Sequence, residues 1–229
     1  MSATMRRWFG VGLAFAIAAG SGVAAAEADT WYAQRLTGGD TPLRVEHFWS
    51  KGASLRAVTV VGGFPIITLV KGEFYYVIDT VRNSGMAVRR SRRAILEDRE
   101  RIRPFGLEGV ILQQQGAESV REGVLAGRPC RVYRITDGQG RREAWITADA
   151  IELPLRIEAF DRSSGMSVRT DYVDWARDLP LPDSFFEPPA GVELQRFEYD
   201  EFVAQSAAGP VGPAPILHSD LLHGSRTGS

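Results

Sequence analysis

The sequence has one cysteine in 229 residues and lacks most of the signatures of disulfide-stapled folds. A single cysteine cannot form an internal disulfide, so the fold must come from a hydrophobic core. Cys130 lies in RPCRVYRI, an apparent strand, where a small buried apolar residue is the expected role. The formal net charge of −1 gives no general bias toward nucleic acid.

Signatures of catalysis and metal binding are also absent from the sequence. The three histidines are His47, on a predicted strand, and His218 and His223, near the C-terminus. There is no H-E-x-x-H motif, no cysteine pair and no G-x-S-x-G turn. Glycine pairs such as Gly62-Gly63 indicate hairpin turns, because no helix start follows them. We therefore expect no metal, no cofactor and no enzymatic activity.

Long apolar runs are confined to the N-terminus. Arg6 and Arg7 precede WFGVGLAFAIAAGSGV, and Ala24-Ala25-Ala26 follows. A basic start, an apolar stretch and an A-x-A end predict a secretory signal peptide over residues 1–26. The alternative is an uncleaved membrane anchor, for which the run is short. The expected location is the periplasm, after cleavage of the signal peptide.

The middle of the chain has the pattern of short antiparallel hairpins. Eight runs are rich in β-branched and aromatic residues, and glycine lies in most of the breaks between them. The runs are LRVEHFW, SLRAVTVV, PIITLV, EFYYVIDT, RVYRIT, REAWIT, LPLRIEAF and SVRTDYVDW. Between the two groups of four, residues 91–101 and 105–115 are predicted to hold short helices.

Two segments near the C-terminus differ from the hairpins. In LPDSFFEPPAG, Asp183 is expected to cap a single turn that Pro188 ends. Such a turn is not stable alone, so Phe185 and Phe186 must pack on the sheet, as a hydrophobic anchor or as a wall of a ligand cavity. The chain after residue 204 is rich in Pro, Gly, Ala and Ser. That composition predicts a disordered tail over residues 205–229. The predicted β domain then covers residues 27–204.

The second group of hairpins resembles the periplasmic lipoprotein-carrier superfamily, which includes LolA, LolB, the amino-terminal domain of RseB and outer-membrane lipoprotein-sorting proteins. The resemblance covers about residues 43–203. Its most specific elements are GRPCRVY, the strand with Trp145-Ile146, LPLRIE, DYVDW and LPDSFFEPPAGV. It implies a mainly β fold, a half-open, strongly curved antiparallel sheet (an incomplete barrel) with a helical lid. It also implies an apolar cavity that receives acyl chains or another lipid.

The sequence departs from the carriers before the first predicted strand, where they have a long amphipathic helix and this chain has only DTWYAQRLTGGD. Two hypotheses remain open. The chain is a periplasmic carrier or binding protein for an apolar ligand, a lipid or the acyl chains of a lipoprotein. Alternatively, it is an RseB-like envelope sensor or an accessory interaction subunit of an envelope export system.

Candidate binding residues follow from strand alternation combined with the implied cavity. Alternating apolar positions could face one interior, and Phe185 or Phe186 would close one end of it; a shift of one residue would exchange Phe74 and Tyr76 for Tyr75 and Val77. The predicted cavity residues are Val45, Trp49, Leu55, Phe74, Tyr76, Trp145, Leu155, Ile157, Phe185 and Phe186. The expected partners are a lipid or an acylated protein and an inner-membrane exporter or outer-membrane acceptor, but no nucleic acid.

Basic residues are concentrated near the first predicted helix. Eight arginines lie between Arg82 and Arg103, and three acidic residues oppose them, Glu97, Asp98 and Glu100. The cluster is either a solvated helix face with internal ion pairs or a surface for anionic headgroups or an acidic partner. The predicted basic surface consists of Arg89, Arg90, Arg92 and Arg93.

Overall fold

A computed structural model describes residues 29–225, of which 49% lie in strands and 16% in helices. The strands are β1 (Thr30–Gly39), β2 (Arg44–Lys51), β3 (Ser54–Val61), β4 (Phe64–Lys71), β5 (Phe74–Asp79), β6 (Ser84–Arg89), β7 (Glu118–Leu125), β8 (Arg128–Asp137), β9 (Gly140–Thr147), β10 (Pro154–Asp161), β11 (Ser167–Arg177) and β12 (Glu193–Phe197). The helices are α1 (Arg92–Glu97), α2 (Glu108–Gln114), a 3₁₀ turn (Asp183–Phe186), α3 (Tyr199–Ala208) and α4 (Asp220–His223). The predicted signal peptide lies outside the described residues.

All twelve described strands form one open sheet, in the order β12-β6-β5-β4-β3-β2-β1-β11-β10-β9-β8-β7. Neighbouring strands are antiparallel except β12 and β6, which run parallel. The predicted fold class is therefore confirmed. Strand β1 lies in the middle of the sheet and joins the two hairpin series by pairing with β2 on one side and β11 on the other.

The hairpin turns follow the glycine breaks in the sequence. Between β3 and β4, Gly62 and Gly63 have φ angles of 58° and 88°. Positive φ at both central residues is the geometry of the two-residue turn that matches strand twist, and glycine adopts it without steric cost. This turn sets the register in which Val61 pairs with Phe64.

One face of the sheet, here called the core face, carries the main hydrophobic core. Directly opposite residues on paired strands share a face, which gives a row of six side chains across adjacent strands, none more than 1% exposed. The row is Ala33, Phe48, Ala57, Thr68, Val77 and Met86. Leu55, Val70, Tyr75 and Val88 join the same buried cluster.

The chain's own later segments cover the core face. Phe105 packs against it from the loop between α1 and α2, and Phe202 from α3. Helix α2 covers the neighbouring strands, where Leu112 contacts Ala144 and Ile146. Residues 210–223, here called the strap, cover the remaining core face with six apolar side chains. They are Val211, Ala214, Ile216, Leu217, Leu221 and Leu222.

The opposite face, here called the outer face, is also apolar over β3 to β5. Ile67, Leu69 and Ile78 are buried there against Val192, just before β12, and Leu194, within β12. The 3₁₀ turn packs against the same region of the sheet. A strand that is apolar on both sides must be covered on both sides, and β4 and β5 meet this condition.

The predicted disordered tail is wrong for residues 205–225. Helix α3 runs through residue 204, and Leu221 and Leu222 are 1% and 0% exposed. The tail as a whole is rich in Pro, Gly, Ala and Ser, but it includes the locally apolar stretch PILHSDLL. The apolar side chains of this stretch are sufficient to anchor the segment. The domain therefore extends past the boundary drawn at residue 204.

Candidate functional site

A buried polar cluster lies where β1, β2, α2 and the strap meet on the core face. The Arg35 guanidinium bonds Oε2 of Glu46 through Nε at 2.8 Å and contacts Oε1 of Glu108 at 3.2 Å. Glu108 Oε1 also accepts a 2.6 Å hydrogen bond from the Tyr172 hydroxyl. The cluster is an alternating arrangement of cations and carboxylates inside an otherwise apolar interior.

Glu46 is the most enclosed charge of this cluster, with a side chain that is 0% exposed. Burial by itself raises the pKa of Glu46, but the neighbouring guanidinium groups, Arg35 first and then Arg44, outweigh burial and hold the pKa below its usual value. A buried carboxylate with this surrounding is expected to stay ionised at neutral pH. Its removal would leave the buried Arg35 with only the 3.2 Å contact to Glu108 as counter-charge.

His218 connects the strap to this cluster. Its Nε2 lies 3.5 Å from Glu46 Oε1, and its ring packs edge-on against Phe48, with 5.2 Å between centroids. Burial lowers the pKa of His218 to about 4; repulsion from Arg35 and Arg44 adds to this, and attraction to Glu46 opposes it. His218 is therefore neutral at neutral pH, and protonating it would put another cation beside Arg35.

An aromatic group with a buried cation lies next to this cluster. Trp175 stacks on Phe105 and on Tyr172, with centroid distances of 5.7 and 5.2 Å, and meets Trp31 edge-on at 6.2 Å. The guanidinium of Arg103 lies 5.4 Å from the Trp31 ring and 5.5 Å from the Trp175 ring. Cations favour the faces of indole rings, so the two tryptophans stabilise this charge in part.

The strap is anchored at its end and held elsewhere by side chains. The Ser91 N–H donates to Leu222 O at 3.0 Å, the Ser91 hydroxyl donates to His223 O, and Arg90 Nε donates to Leu221 O at 2.6 Å. Within the described residues, no hydrogen bond between backbone groups joins residues 210–217 to the sheet. This part of the strap therefore rests on the core face mainly by apolar contact.

The structure does not bring the ten predicted cavity residues to one interior. Leu55 lies on the core face, and Ile157 packs beside Ala144 under α2. Leu155 is buried where the register shifts between Pro154 and Arg156. The register places the remaining strand residues on the outer face; they are Val45, Trp49, Phe74, Tyr76 and Trp145.

Phe185 and Phe186 also belong to the outer face. Phe186 is 1% exposed, while Phe185 packs edge-on against Trp49 at 5.6 Å and lies under the Arg56 guanidinium. The turn is the single one predicted, but Asp183 makes no capping bond and instead pairs with Lys51. For β5 the alternative with a shift of one residue is the one observed. Tyr75 and Val77, and not Phe74 and Tyr76, face the core.

Only part of the predicted basic surface lies free at the surface. Arg90 is 2% exposed, and Asp98 and main-chain oxygens bind its guanidinium. Arg89 pairs with Glu73 and Glu198, and Arg93 pairs with Glu97. Arg92 is exposed and has no ion-pair partner in the described part of the chain. The cluster is mainly a set of structural ion pairs.

A cavity of about 540 Å³ opens beside β11 and the β7–β8 turn. It is lined by Leu125, Leu155, Arg156, Asp171 and Trp175 among others, and no strap residue lines it. Residues 29–225 contain no group of three or more metal-ligating side chains. None of the described helices has the length and hydrophobicity of a membrane span.

No protein-family model and no curated protein matches the chain. Among solved structures, it is similar to an uncharacterized conserved protein from Thermus thermophilus, with a TM-score of 0.53, 12% identity and coverage of 73% of this chain and 90% of that one. It also matches MucB in the Pseudomonas aeruginosa MucA/MucB complex, with a TM-score of 0.44, 13% identity and coverage of 71% and 56%. A third match is an outer membrane lipoprotein-sorting protein domain from Vibrio parahaemolyticus. Its TM-score is 0.33 and its identity 14%, and the match covers 70% of this chain and 89% of that one.

At these identities the likeness is one of fold. The open sheet, the order of its hairpins and the helices that cover the core face are the architecture that the sequence resemblance implied. The likeness to the Thermus thermophilus protein, at a TM-score of 0.53, shows that the chain shares the fold of that protein.

Proposed function

We propose that this chain is a periplasmic, non-enzymatic binding protein that holds the apolar part of a lipid or of an acylated protein against the core face. The observation that carries the proposal is the way the strap covers this face. Apolar side chains of residues 210–217 rest on the sheet, and no hydrogen bond between backbone groups joins these described residues to it. A cover of this kind can be exchanged for an acyl chain at little cost in hydrogen bonding.

The energetics require a long apolar ligand. Each buried methylene contributes about 0.8 kcal/mol, so twelve contribute roughly 10 kcal/mol. Association costs about 4–15 kcal/mol, and the ligand must also replace the apolar contacts of the strap it displaces. Displacing Ile216 and Leu217 alone costs up to about 1.5–3 kcal/mol each. Short chains would therefore not compete with the strap.

The N-terminal residues support the proposed location. A signal-peptide pattern over residues 1–26 directs the chain to the periplasm, where an inner-membrane exporter or an outer-membrane acceptor would supply or receive the ligand. Arg92, the free member of the predicted basic surface, is available to an anionic headgroup or an acidic partner.

A second candidate is the envelope sensor or accessory interaction subunit. It is favoured by the filled state of the core face, since a protein that uses this fold only to contact a partner needs no ligand cavity. The two candidates differ in what happens at the strap. The binding protein must release it, whereas the interaction protein need not.

The test is titration of a fluorescent long-chain fatty acid against the protein in its exported form. We expect saturable micromolar binding, and tighter binding by the variants Ile216→Ser and Leu217→Ser, which weaken the strap at partly buried positions. Val203→Ser is the matched control, because Val203 is 42% exposed on α3. No binding by any folded variant, across acyl and terpenoid probes, would favour the interaction protein instead.

A further inference from the structure

Several buried hydrogen-bond donors on the core face have no acceptor in the described part of the chain, among them the hydroxyls of Thr68 and Tyr75 and three donors that lie on or beside β1 and β2. The last three are Nε1 of Trp31, Oγ of Ser50 and Nε of Arg103, and these residues are 3%, 0% and 3% exposed. Buried donors are paired in the great majority of cases, so each of these three requires an explanation. From their proximity we propose that Trp31, Ser50 and Arg103 form an anion site that holds the carboxylate or phosphate of an amphiphilic ligand.

The backbone brings the three donors together. Trp31 on β1 and Ser50 on β2 are direct partners in the antiparallel pair, so their side chains share the core face. The Arg103 guanidinium lies 5.4 Å from the Trp31 ring and is positioned by a 2.8 Å hydrogen bond from its Nη2 to Gly106 O. Gly106 fits there because a Cβ on it would lie 2.5 Å from Trp175.

The charge balance favours an anion at this place. Within the described residues, no carboxylate lies within ion-pair distance of Arg103. Glu108 lies beyond ion-pair distance of Arg103; Arg35 and Tyr172 bind its Oε1, while its buried Oε2 has no hydrogen-bond partner among the described residues. The Arg177 guanidinium also lies near Trp31, 4.5 Å from the ring, and contacts Asp29 only at 3.8 Å.

An unpaired buried cation costs folding free energy, and arginine is rarely buried without a partner. Burial correspondingly lowers the pKa of Arg103, while Tyr172 and Glu108 oppose this in part. A carboxylate or phosphate oxygen would accept hydrogen bonds from all three donors and supply the missing counter-charge. Arg103 is thus positioned to bind an anionic ligand, and its burial without a counter-ion lowers the stability of the ligand-free protein.

This site extends the proposed function, on which it rests, by naming the ligand class as an amphiphile with an anionic group at one end. Ser50 and Leu55 are cross-strand partners, and Leu55 belongs to the apolar core face. An acyl chain that leaves the anion site along the core face would therefore run under the strap. A fatty acid and a phosphatidic acid share this chemistry.

The experiment compares palmitate, dipalmitoyl phosphatidic acid and the uncharged hexadecanol as competitors of a fluorescent hydrophobic probe. For the wild type we expect at least tenfold tighter binding of one of the two acids than of hexadecanol. Arg103→Met should abolish this preference while hexadecanol binds as before, and Trp31→Phe and Ser50→Ala should each reduce it. Arg162→Met, at an exposed arginine in the turn between β10 and β11, is the control and should change nothing.

A second readout separates ligand binding from structure. Because Arg103 lacks a buried counter-ion, Arg103→Met should leave the thermal midpoint of the ligand-free protein unchanged or raise it. Equal binding of acids and hexadecanol by the wild type, an acid preference that survives Arg103→Met, or a sharp fall in that midpoint would each overturn the anion site. If hexadecanol binds and the two acids bind no more tightly, the proposed binding of an apolar chain stands without the anion site. If no chain-bearing compound binds at all, the proposed function fails first.

Discussion

At the scale of single residues, the least expected feature is the role of His218. The sequence places this histidine in a segment with the composition of a disordered tail, and no sequence signal linked it to Glu46, more than 170 positions earlier. The structure buries it between Phe48 and Glu46. Its low pKa makes it a measurable reporter of whether the strap is docked.

The pH dependence of stability tests this placement. The pKa of His218 is about 4 in the folded protein and about 6.5 in the unfolded chain, so the unfolded state binds the proton first as the pH falls. Stability should therefore be complete above about pH 6.5 and decline toward pH 4, by roughly 3 kcal/mol for this group. Burial also lowers the pKa of His223, which adds a contribution of the same sign.

The measurement is the urea midpoint between pH 7 and pH 4 for the wild type and for His218→Gln. The variant should show a flatter profile over this window. His47→Gln is the control, since His47 lies on the outer face, where its Nδ1 is 3.0 Å from the Tyr32 hydroxyl. Parallel profiles for wild type and His218→Gln would show that His218 is not buried as described.

At the scale of elements, the strands that sequence analysis found are those with a glycine break and a strong β-branched or aromatic pattern. Strands β3 and β9 fall within one or two residues of their predicted runs. The missed strands are β1, β6, β7 and β12. β7 is exposed on both faces except at Leu125, and β12 pairs in parallel with β6 from more than 100 residues away, which no local pattern encodes.

Face assignment was harder to predict than strand position. Strands β4 and β5 are apolar on both sides, so the two-residue period gives no preferred phase. Trp49 and Tyr76 were predicted to line the interior, yet they lie on the outer face. The cover for that face comes from a segment more than 100 residues later, whose docking position no local sequence signal specifies.

Removing the strap tests whether this segment, predicted from its composition to be disordered, is part of the folded core. Truncation after Ala204 deletes Leu221 and Leu222 and uncovers the core face. Each leucine contributes about 1.5–3 kcal/mol, so the loss is at least about 3 kcal/mol, or roughly 6–12 °C in the thermal midpoint. Truncation after Ser225, which keeps every described residue, should leave the midpoint unchanged.

Point substitution keeps this prediction testable if the truncated chain does not fold. Leu222→Ala should cost about 2–5 kcal/mol, because Leu222 is fully buried. Val203→Ala, at an exposed position of α3, should cost little. A midpoint for the truncated or Leu222→Ala protein within a degree or two of the wild type would mean that the strap is not part of the folded core.

At the scale of the whole molecule, the fold class followed from the sequence while the interior did not. Regular hairpins predicted an antiparallel sheet, the family resemblance implied that this sheet is open, and the sheet is open. The content of its core face depends on α3 and the strap, which return from the C-terminus over the same strands that would meet a ligand. An apolar face of this size cannot stay exposed to water, so a ligand of the proposed kind would have to compete with the strap for it.

This competition makes a quantitative prediction about ligand-induced stabilisation. A ligand at one hundred times its dissociation constant raises the stability of a two-state protein by about 2.7 kcal/mol if it binds the native state alone. The apparent dissociation constant of the wild type includes the cost of releasing the strap, because only the open fraction binds. Weakening the strap should therefore lower the apparent constant and the ligand-free stability together.

Thermal melts of wild type, Leu217→Ser and Val203→Ser, over a series of palmitate concentrations, measure both quantities. We expect Leu217→Ser to melt lower than the wild type without ligand and to gain more from each palmitate concentration, so that the two curves converge as ligand increases. Val203→Ser should follow the wild type throughout. Equal gains for Leu217→Ser and wild type would mean that palmitate binds without displacing the strap, at a surface other than the core face.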